Sequence, residues 1–538
     1  MSFGEFIFPL TEWFRRTRVN LLWPEYEGRE EIIELVETKR DPKVSDLKER
    51  LWKKDKDGKF IDIGDYPLSE EKLQEFANVL EALDEDCHGK DVEKAKETRR
   101  MGNRIDCPTT ALKYYNESLR NAEYGSTDMA LAYANRAACF YKMELNKLAF
   151  MEINRAKEAK FPTHLRAKLA ILLADVIFRL NEESFLEIQL EHKKKPTELS
   201  FLANEDHPPL ADVVTIKNDR TFGRHMLSKF PLRPNDVILV EEDYLRTVDH
   251  LESSFRACAT CFEMDKNFIP CEKCREVVFC NEYCRERNHV HAWECNTFIT
   301  TLEFEMKLPL HSMLKAFDTF TRNDKLDLNS LRNHVKLWLK TIDDLPSTTH
   351  DSRSKYEFFF KLSRATLCEE LLSHKQKPHE MVYLIENMLL KIPKIAEAFQ
   401  YRDDYYFLRH LIIHHCIVIK TNCFGDEHST SLGLIQSLFN HSCDPNVFNR
   451  HEGAKHIYYL KKRVRRNAQL YISYVYLFHP TERRQEVLHE HWGFICACKR
   501  CVRRSGSKEV YQDANSILSV LSDRFSDEYD GEYSRSDE

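Results

Sequence analysis

The chain has 538 residues, 42% of them hydrophobic and 31% charged, and a net charge of −7 at neutral pH. That length allows several domains, each with its own core, and the acidic balance excludes a global attraction to nucleic acid or to an anionic membrane. No apolar run approaches the roughly 18 to 20 residues of a bilayer span, and the start, with Glu5, Glu12 and a late Arg15-Arg16, lacks a signal-peptide layout. A protein of the cytoplasm and nucleus is expected.

Residues 1–91 alternate apolar patches with charge, and the run Lys53 to Lys59 reads as a solvated turn in a helical or irregular region without assignable chemistry. From 92 to 200 the pattern becomes helical. Ala137, Ala149 and Ala156 are followed by Pro162, and Ala170 repeats Ala137 after 33 residues, close to the 34-residue tetratricopeptide period. Small side chains there let helices approach closely, with Tyr133, Phe140 and Tyr141 filling the gaps. The stretch Tyr133 to Ala137 resembles that repeat family. By the repeat offset, Arg99, Asn103, Asn135, His164 and Lys168 fall where related domains clamp the C-terminal carboxylate of a heat-shock chaperone, and cations with amide donors suit such an end. The alternative is that these five are ordinary surface residues of a scaffold.

Between 205 and 254 short alternating segments with turns, Val213 to Ile216, Phe222 to Met226 and Val237 to Glu242, predict strands. Of the 17 cysteines, eleven lie in two clusters at metal-ligand spacing, and the other six (Cys87, Cys107, Cys139, Cys368, Cys416, Cys423) read as buried free thiols. The first cluster is Cys258-x2-Cys261, Cys271-x2-Cys274, Cys280-x3-Cys284 and His291-x3-Cys295, eight ligands for two zinc ions, with His289 as the competing histidine. Order and spacing resemble the MYND zinc finger, over 258–295. That resemblance implies interleaved sites, Cys258, Cys261, Cys280 and Cys284 on one ion and Cys271, Cys274, His291 and Cys295 on the other.

Residues 296–420 return to helix, with Phe358 to Phe360, Met381 to Ile392 and Leu408 to Ile419 as buried or amphipathic segments. In 421–490, Ile457 to Leu460 and Leu470 to Val475 predict a hairpin around an Arg466-Asn467 turn, where Asn tolerates a left-handed backbone. The basic run Lys461 to Arg466 is either the wet face of that hairpin or a nuclear signal. Before it stands Asn440-His441-Ser442-Cys443-Asp444-Pro445-Asn446. Cys443 and the later Cys496, Cys498 and Cys501 supply four thiolates, enough to close one further tetrahedral zinc site in 491–503. From Asp523 to Glu538 seven acidic residues face two basic ones, so 504–538 reads as a disordered tail.

In conjunction these blocks resemble the SET and MYND domain-containing protein-lysine methyltransferases, most like the member-4 subgroup with N-terminal tetratricopeptide repeats. The fold class expected is multidomain α+β, with helical repeats, a β-rich SET core split by the MYND finger and a helical insert, and a post-SET zinc site. The resemblance implies S-adenosylmethionine and three structural zinc ions as cofactors. It places Gly223, Arg224 and His225 against the cofactor, gives Asn422, Asn440 and His441 its amino-acid and adenine parts, and packs Phe494 on adenine. Tyr474, also counted among the cofactor contacts, becomes the catalytic tyrosine that orients the amine of a lysine on a protein substrate, histone or not.

The chain departs from the family pattern at three points. His225 stands where a second glycine is usual, Asn467-Ala468-Gln469 replaces Gly-Glu-Glu, and the sequence ends soon after Cys501 where relatives continue into a helical domain. The substrate cleft is therefore expected to be open or covered by the N-terminal repeats. The alternative to the enzyme is a catalytically weak or inactive adaptor or transcriptional co-regulator that binds peptides, proline-rich ones for the finger, and direct nucleic-acid binding ranks behind both.

Overall fold

The computed structural model describes residues 76–78, 80–81, 89–187, 198–219, 221–248, 257–263, 267–302, 304–362, 378–425 and 429–504. The expected turn at 53–59, Cys87, Cys368 and nearly all of the tail from 504 lie outside these residues.

After helical residues at 76–78 and 80–81 come five helices: α1 (Val92–Gly102), α2 (Pro108–Asn121), α3 (Thr127–Lys142), α4 (Asn146–Glu158) and α5 (Arg166–Glu187). Asp91 and Ser126 cap α1 and α3 by accepting the amides of Lys94 and Met129, and Pro108 starts α2 with a preset φ. Ala137, Ala149 and Ala156 are fully buried between neighbouring helices, with Tyr133 and Phe140 beside them. The predicted repeat at Ala170 fails, because Ala170 is exposed and α5 turns Leu169 and Val176 inward instead. The turn Thr163–Leu165 ahead of α5 sets that phase. Cys107, expected to be buried, is exposed at the residue before α2, where its thiol meets the Thr109 hydroxyl.

The β-rich core has three sheets. One runs β1 (Val214–Asp219), β2 (Gly223–Ser228), β14 (Gln469–Ile472), β11 (Asn440–His441), with β11 parallel to β14 and the other pairs antiparallel. A second joins β12 (Val447–Glu452), β13 (Lys455–Leu460) and β3 (Val237–Glu242), and a third β4 (Leu245–Val248), β10 (Ser429–Leu432) and β9 (Phe424–Gly425). The expected hairpin of 457–460 with 470–475 is therefore corrected: β13 and β14 belong to different sheets. Val464, buried within the basic run, bridges to Leu232 and carries the chain across, while Asn467 takes the foreseen left-handed φ of 63°.

Between β4 and β9 come the finger and the insert. The finger holds β5 (Ile269–Pro270), β6 (Val278–Phe279), α6 (Glu282–Glu286) and α7 (His289–Glu294). The insert holds α8 (Phe304–Thr319), α9 (Leu328–Lys340), α10 (Ser352–Phe360), α11 (Pro378–Leu390), α12 (Pro393–Ala396) and α13 (Arg402–Asn422), with a small hairpin, β7 (Thr321–Arg322) and β8 (Lys325–Leu326), that the sequence reading missed. Its turn residues Asn323 and Asp324 both have positive φ, the chemistry of a tight two-residue turn. Phe358, Phe359 and Phe360 are all fully buried, so the last turn of α10 is surrounded while Ser352, Arg353 and Lys355 in its first turns are exposed, and the main core runs continuously from the insert to β1–β3 and β14. Two short helices come last among the described residues, α14 (Thr481–Trp492) and α15 (Lys499–Arg504). Among the described residues no helix is long and apolar enough to cross a membrane.

The helical unit docks on the finger through charge. Glu152, fully buried on α4, accepts from Arg136, Arg155 and, across the interface, Asn267 of the finger at 2.7 Å. Arg120 donates to the Arg275 carbonyl at 2.7 Å and Lys90 to the Cys271 carbonyl at 2.6 Å.

Candidate functional site

Three quartets of metal-ligating side chains form, and they are the three expected from the sequence: Cys258, Cys261, Cys280, Cys284; Cys271, Cys274, His291, Cys295; and Cys443, Cys496, Cys498, Cys501. Within each, the ligand atoms lie within 4.8 Å of one another. A tetrahedral ion with Zn–S bonds of about 2.3 Å sets sulfur atoms about 3.7 Å apart. The pairs Cys261–Cys280 and Cys271–Cys295, both at 3.6 Å, fit that edge. Local structure aims the ligands: Asn281 caps α6 and fixes Cys284, while Asn288 caps α7 and fixes His291. His291 Nδ1 faces the buried Glu294 carboxylate at 3.4 Å, the outer contact that orients a metal-bound imidazole, and His289 is exposed and takes no part. In the last quartet Gln485 holds the Cys496 backbone from both sides, accepting its amide at 2.6 Å and donating to its carbonyl at 2.7 Å. Four thiols gathered this closely, three of them on buried residues, suit a closed structural zinc site.

The third quartet adjoins a cluster of aromatic rings. β11 carries Asn440 and His441 beside β14, and the chain leaving β14 brings Tyr474 back over them. The Tyr474 amide donates to His441 Nδ1 at 2.9 Å, so Nε2 carries the imidazole proton and points it at Cys443 Sγ, 3.2 Å away. The Tyr474 hydroxyl donates to the Phe439 carbonyl at 2.5 Å, tying the ring to the residue before Asn440. The rings of His441, Tyr474 and Phe494 stand 5.3, 6.0 and 6.5 Å apart. Gly493 ends α14 in a left-handed conformation and turns the chain so that Phe494 reaches this place two residues before Cys496.

A model of the SET domain matches residues 163–475, more than half of the chain. The chain belongs to the SET domain family. Its relatives include the zebrafish (Danio rerio) protein-lysine N-methyltransferase SMYD4, 25% identical and matched over 46% of this chain and 35% of that protein. The histone-lysine N-methyltransferase ASHR1 of Arabidopsis thaliana is 24% identical over 54% and 57%, and a SET and MYND domain-containing protein of Dictyostelium discoideum 25% over 52% and 58%. The chain thus spans between about a third and somewhat more than half of the length of these relatives.

The SET domain brings the remaining expected residues to the same region through backbone contacts. Asn440 donates to the Phe222 carbonyl at 3.0 Å, next to Gly223, whose φ of +60° needs glycine and whose missing Cβ points into open space. Arg224 and Asn422 converge on the Leu362 carbonyl at 3.2 and 3.3 Å, and Arg224 also donates to Lys361 at 2.6 Å. His225 does not join them. Its ring is buried in the β1–β2 hairpin, with Nδ1 2.9 Å from the Gly223 carbonyl and Phe222 edge-on beside it.

Two rings were given no role in the sequence reading. Trp492 packs 5.0 Å from Tyr474 and donates to the Thr421 carbonyl at 3.0 Å, and Phe424 stands edge-on to Tyr474 at 5.6 Å. Each lies two residues from a flagged position, Phe494 and Asn422, so aromatic spacing was the available signal.

Beneath the site, the buried Glu241 carboxylate accepts the amides of Ile435 and Gln436 at 2.8 and 2.9 Å, fixing the turn that leads into Asn440. Asp243 and His456, paired at 2.6 Å, stand near it. Burial pushes the Glu241 carboxyl up to about 7, with Asp243 adding to the rise and the two amides and His456 opposing it. A carboxyl whose folded value is raised stabilises the fold at low pH, and that contribution is lost as pH climbs from about 4.5 to about 7. Glu241→Gln is expected to remove this slope, worth at most about 3 kcal/mol, in urea unfolding at pH 5 and pH 8. An unchanged difference between the two pH values in the variant would show that Glu241 does not titrate there.

Proposed function

We propose that this chain is a protein-lysine N-methyltransferase that takes its methyl group from S-adenosylmethionine, with a lysine on a protein as acceptor. The observation that carries the reading is the joining of Asn440, His441, Tyr474 and Phe494 in one cluster anchored by the Cys443 quartet. The cofactor suits the residues: Gly223 leaves open space beside the Asn440 anchor, and flat rings next to amide groups match an adenine and a cationic sulfonium. When bound, S-adenosylmethionine supplies an electrophilic methyl group. Gly223, Arg224, Asn422, Asn440, His441 and Phe494 are the residues proposed to hold it, with His225, buried in the β1–β2 hairpin, left behind them.

The chain's own part is alignment and exclusion of water. The Tyr474 proton is committed to the Phe439 carbonyl, so its oxygen meets an incoming amine as an acceptor and orients the nitrogen lone pair away from the ring. A free lysine amine has a pKa of about 10.4, and the half-buried rings of Phe424, Tyr474 and Trp492 favour its neutral form by desolvation. Three structural zinc ions hold the finger and the post-SET segment. The five-helix unit is proposed to be a tetratricopeptide array, which would align the chain with the member-4 subgroup and recruit substrate or a chaperone tail; the finger would take proline-rich peptides, and the protein would work in cytoplasm and nucleus. Within the helical unit, Asn135 donates to Asn103 at 2.7 Å, whereas Arg99 is paired with Asp128 at 3.0 Å, and a chaperone carboxylate would have to compete for it.

One observation favours the second reading, an inactive adaptor: Arg224 and the Asn422 amide are spent on backbone carbonyls, and His225 faces the hairpin. Calorimetric titration separates the two. Zinc-replete protein that fails to bind S-adenosylmethionine ends the enzyme reading. If it binds, Tyr474→Phe is expected to keep the cofactor affinity within about threefold and to lower methyl transfer about 100-fold, as for loss of one preorganised hydrogen-bonding group.

A further inference from the structure

The loop after Tyr474 exposes two rings, Tyr476 and Phe478, 5.3 Å apart and 64% and 86% accessible, and yet its backbone is held at several points. Arg500 on α15 donates to the Leu477 carbonyl at 2.6 Å and to the Cys443 carbonyl at 2.9 Å. Arg484 on α14, fully buried, donates to the His479 carbonyl at 2.5 Å and through Nε to Cys443 Sγ at 3.2 Å, with Cys501 Sγ 3.7 Å from Nη2. Each guanidinium therefore has one arm on the loop and the other on the cysteine quartet. The chemistry explains the choice of arginine. Four thiolates around a dication leave a net charge of −2, which two adjacent guanidiniums offset, and the planar fork of each holds its donors in fixed directions toward two acceptors.

We propose that Arg484 and Arg500 are positioning residues that lock loop 475–480, with Tyr474 at its head, to the four-cysteine centre, so that metal occupancy there sets the shape of the loop beside the lysine site. The methyltransferase reading enters only in giving that loop a substrate to face. The lock itself is a property of zinc, two arginines and two carbonyls, and it is measured without cofactor or substrate.

Hydrogen exchange followed by mass spectrometry on the zinc-replete full chain tests it, because the His479 amide bonds to the Tyr476 carbonyl at 3.2 Å and reports loop closure. Arg500→Ala and Arg500→Lys are both expected to retain zinc and to speed exchange in 475–479 by about tenfold or more, while 447–460 is unchanged. Arg484→Lys, which keeps the charge and loses the fork, is expected to hasten zinc transfer from the quartet to a chromogenic chelator. Wild-type exchange in both Arg500 variants, or full protection restored by lysine, would overturn the lock. Failure of the wild type to bind S-adenosylmethionine would end the methyltransferase reading and leave these exchange results standing.

Discussion

Replacing Cys443 with serine is expected to lower bound zinc by one ion per chain and to abolish S-adenosylmethionine binding. Cys443 is buried, and its sulfur meets Arg484 and His441 as well as the three other cysteines. A serine oxygen keeps a weak acceptor but removes one of four thiolates, and structural zinc in small closed sites is worth about 10 to 16 kcal/mol of folding free energy. Without the ion, Cys496 to Cys501 keep only the Arg500 bond to the Cys443 carbonyl beside β11, so Phe494 is expected to leave the rings of His441 and Tyr474. Cys258→Ser in the finger supplies the control: it too is expected to lose one zinc, with cofactor binding retained. Metal analysis and calorimetry on both variants check this, and cofactor binding by Cys443→Ser at wild-type affinity would separate the quartet from the site.

The sequence was most informative where chemistry dictates spacing. All twelve residues of the three quartets were readable because thiolates and an imidazole at fixed intervals have few other uses, and the capping asparagines Asn281 and Asn288 reinforce that pattern locally. Helices were also readable from periodicity, as were β1, β2, β3, β13 and β14, whereas the other nine described strands were not. What failed depends on phase or on long-range pairing: Ala170 missed the core because a short turn rotates α5, and β13 and β14 look like hairpin partners in sequence but pair in separate sheets. At the site, Asn440, His441, Tyr474 and Phe494 come together as expected. His225, whose side chain is set by which face of β2 it occupies, turns into the hairpin. Trp492, Phe424, Arg484 and Arg500 went unnoticed because each matters through a partner more than ten residues away or through a backbone carbonyl, neither of which leaves a mark on composition.

The other large effect is expected from Glu152→Ala, far from the rings around Tyr474 in sequence. Glu152 is fully buried, and its two oxygens accept from Arg136 at 2.5 Å, from Arg155 at 2.7 Å and from Asn267 at 2.7 Å. Arg136 is itself 1% exposed and Arg155 8%. Deleting the carboxylate leaves Arg136 in the interior without an anion and Arg155 with only Glu282 nearby, a loss of about 3 to 5 kcal/mol for a buried pair, and strips Asn267 of its bond across the interface. Because Arg155 also approaches Glu282 of the finger at 3.5 Å, undocking of helices from finger is expected along with loss of stability. The cost belongs to the stranded charges more than to the bonds themselves, so Glu152→Met combined with Arg136→Met, which removes one cation with the anion, is expected to recover part of it. Chemical unfolding of the three proteins, with hydrogen exchange at Ile269 and Cys271 of the finger as the readout of docking, measures both effects. A loss below about 1 kcal/mol in Glu152→Ala, the range of an exposed ion pair, would mean that water reaches the network and that the interface is looser than its burial implies.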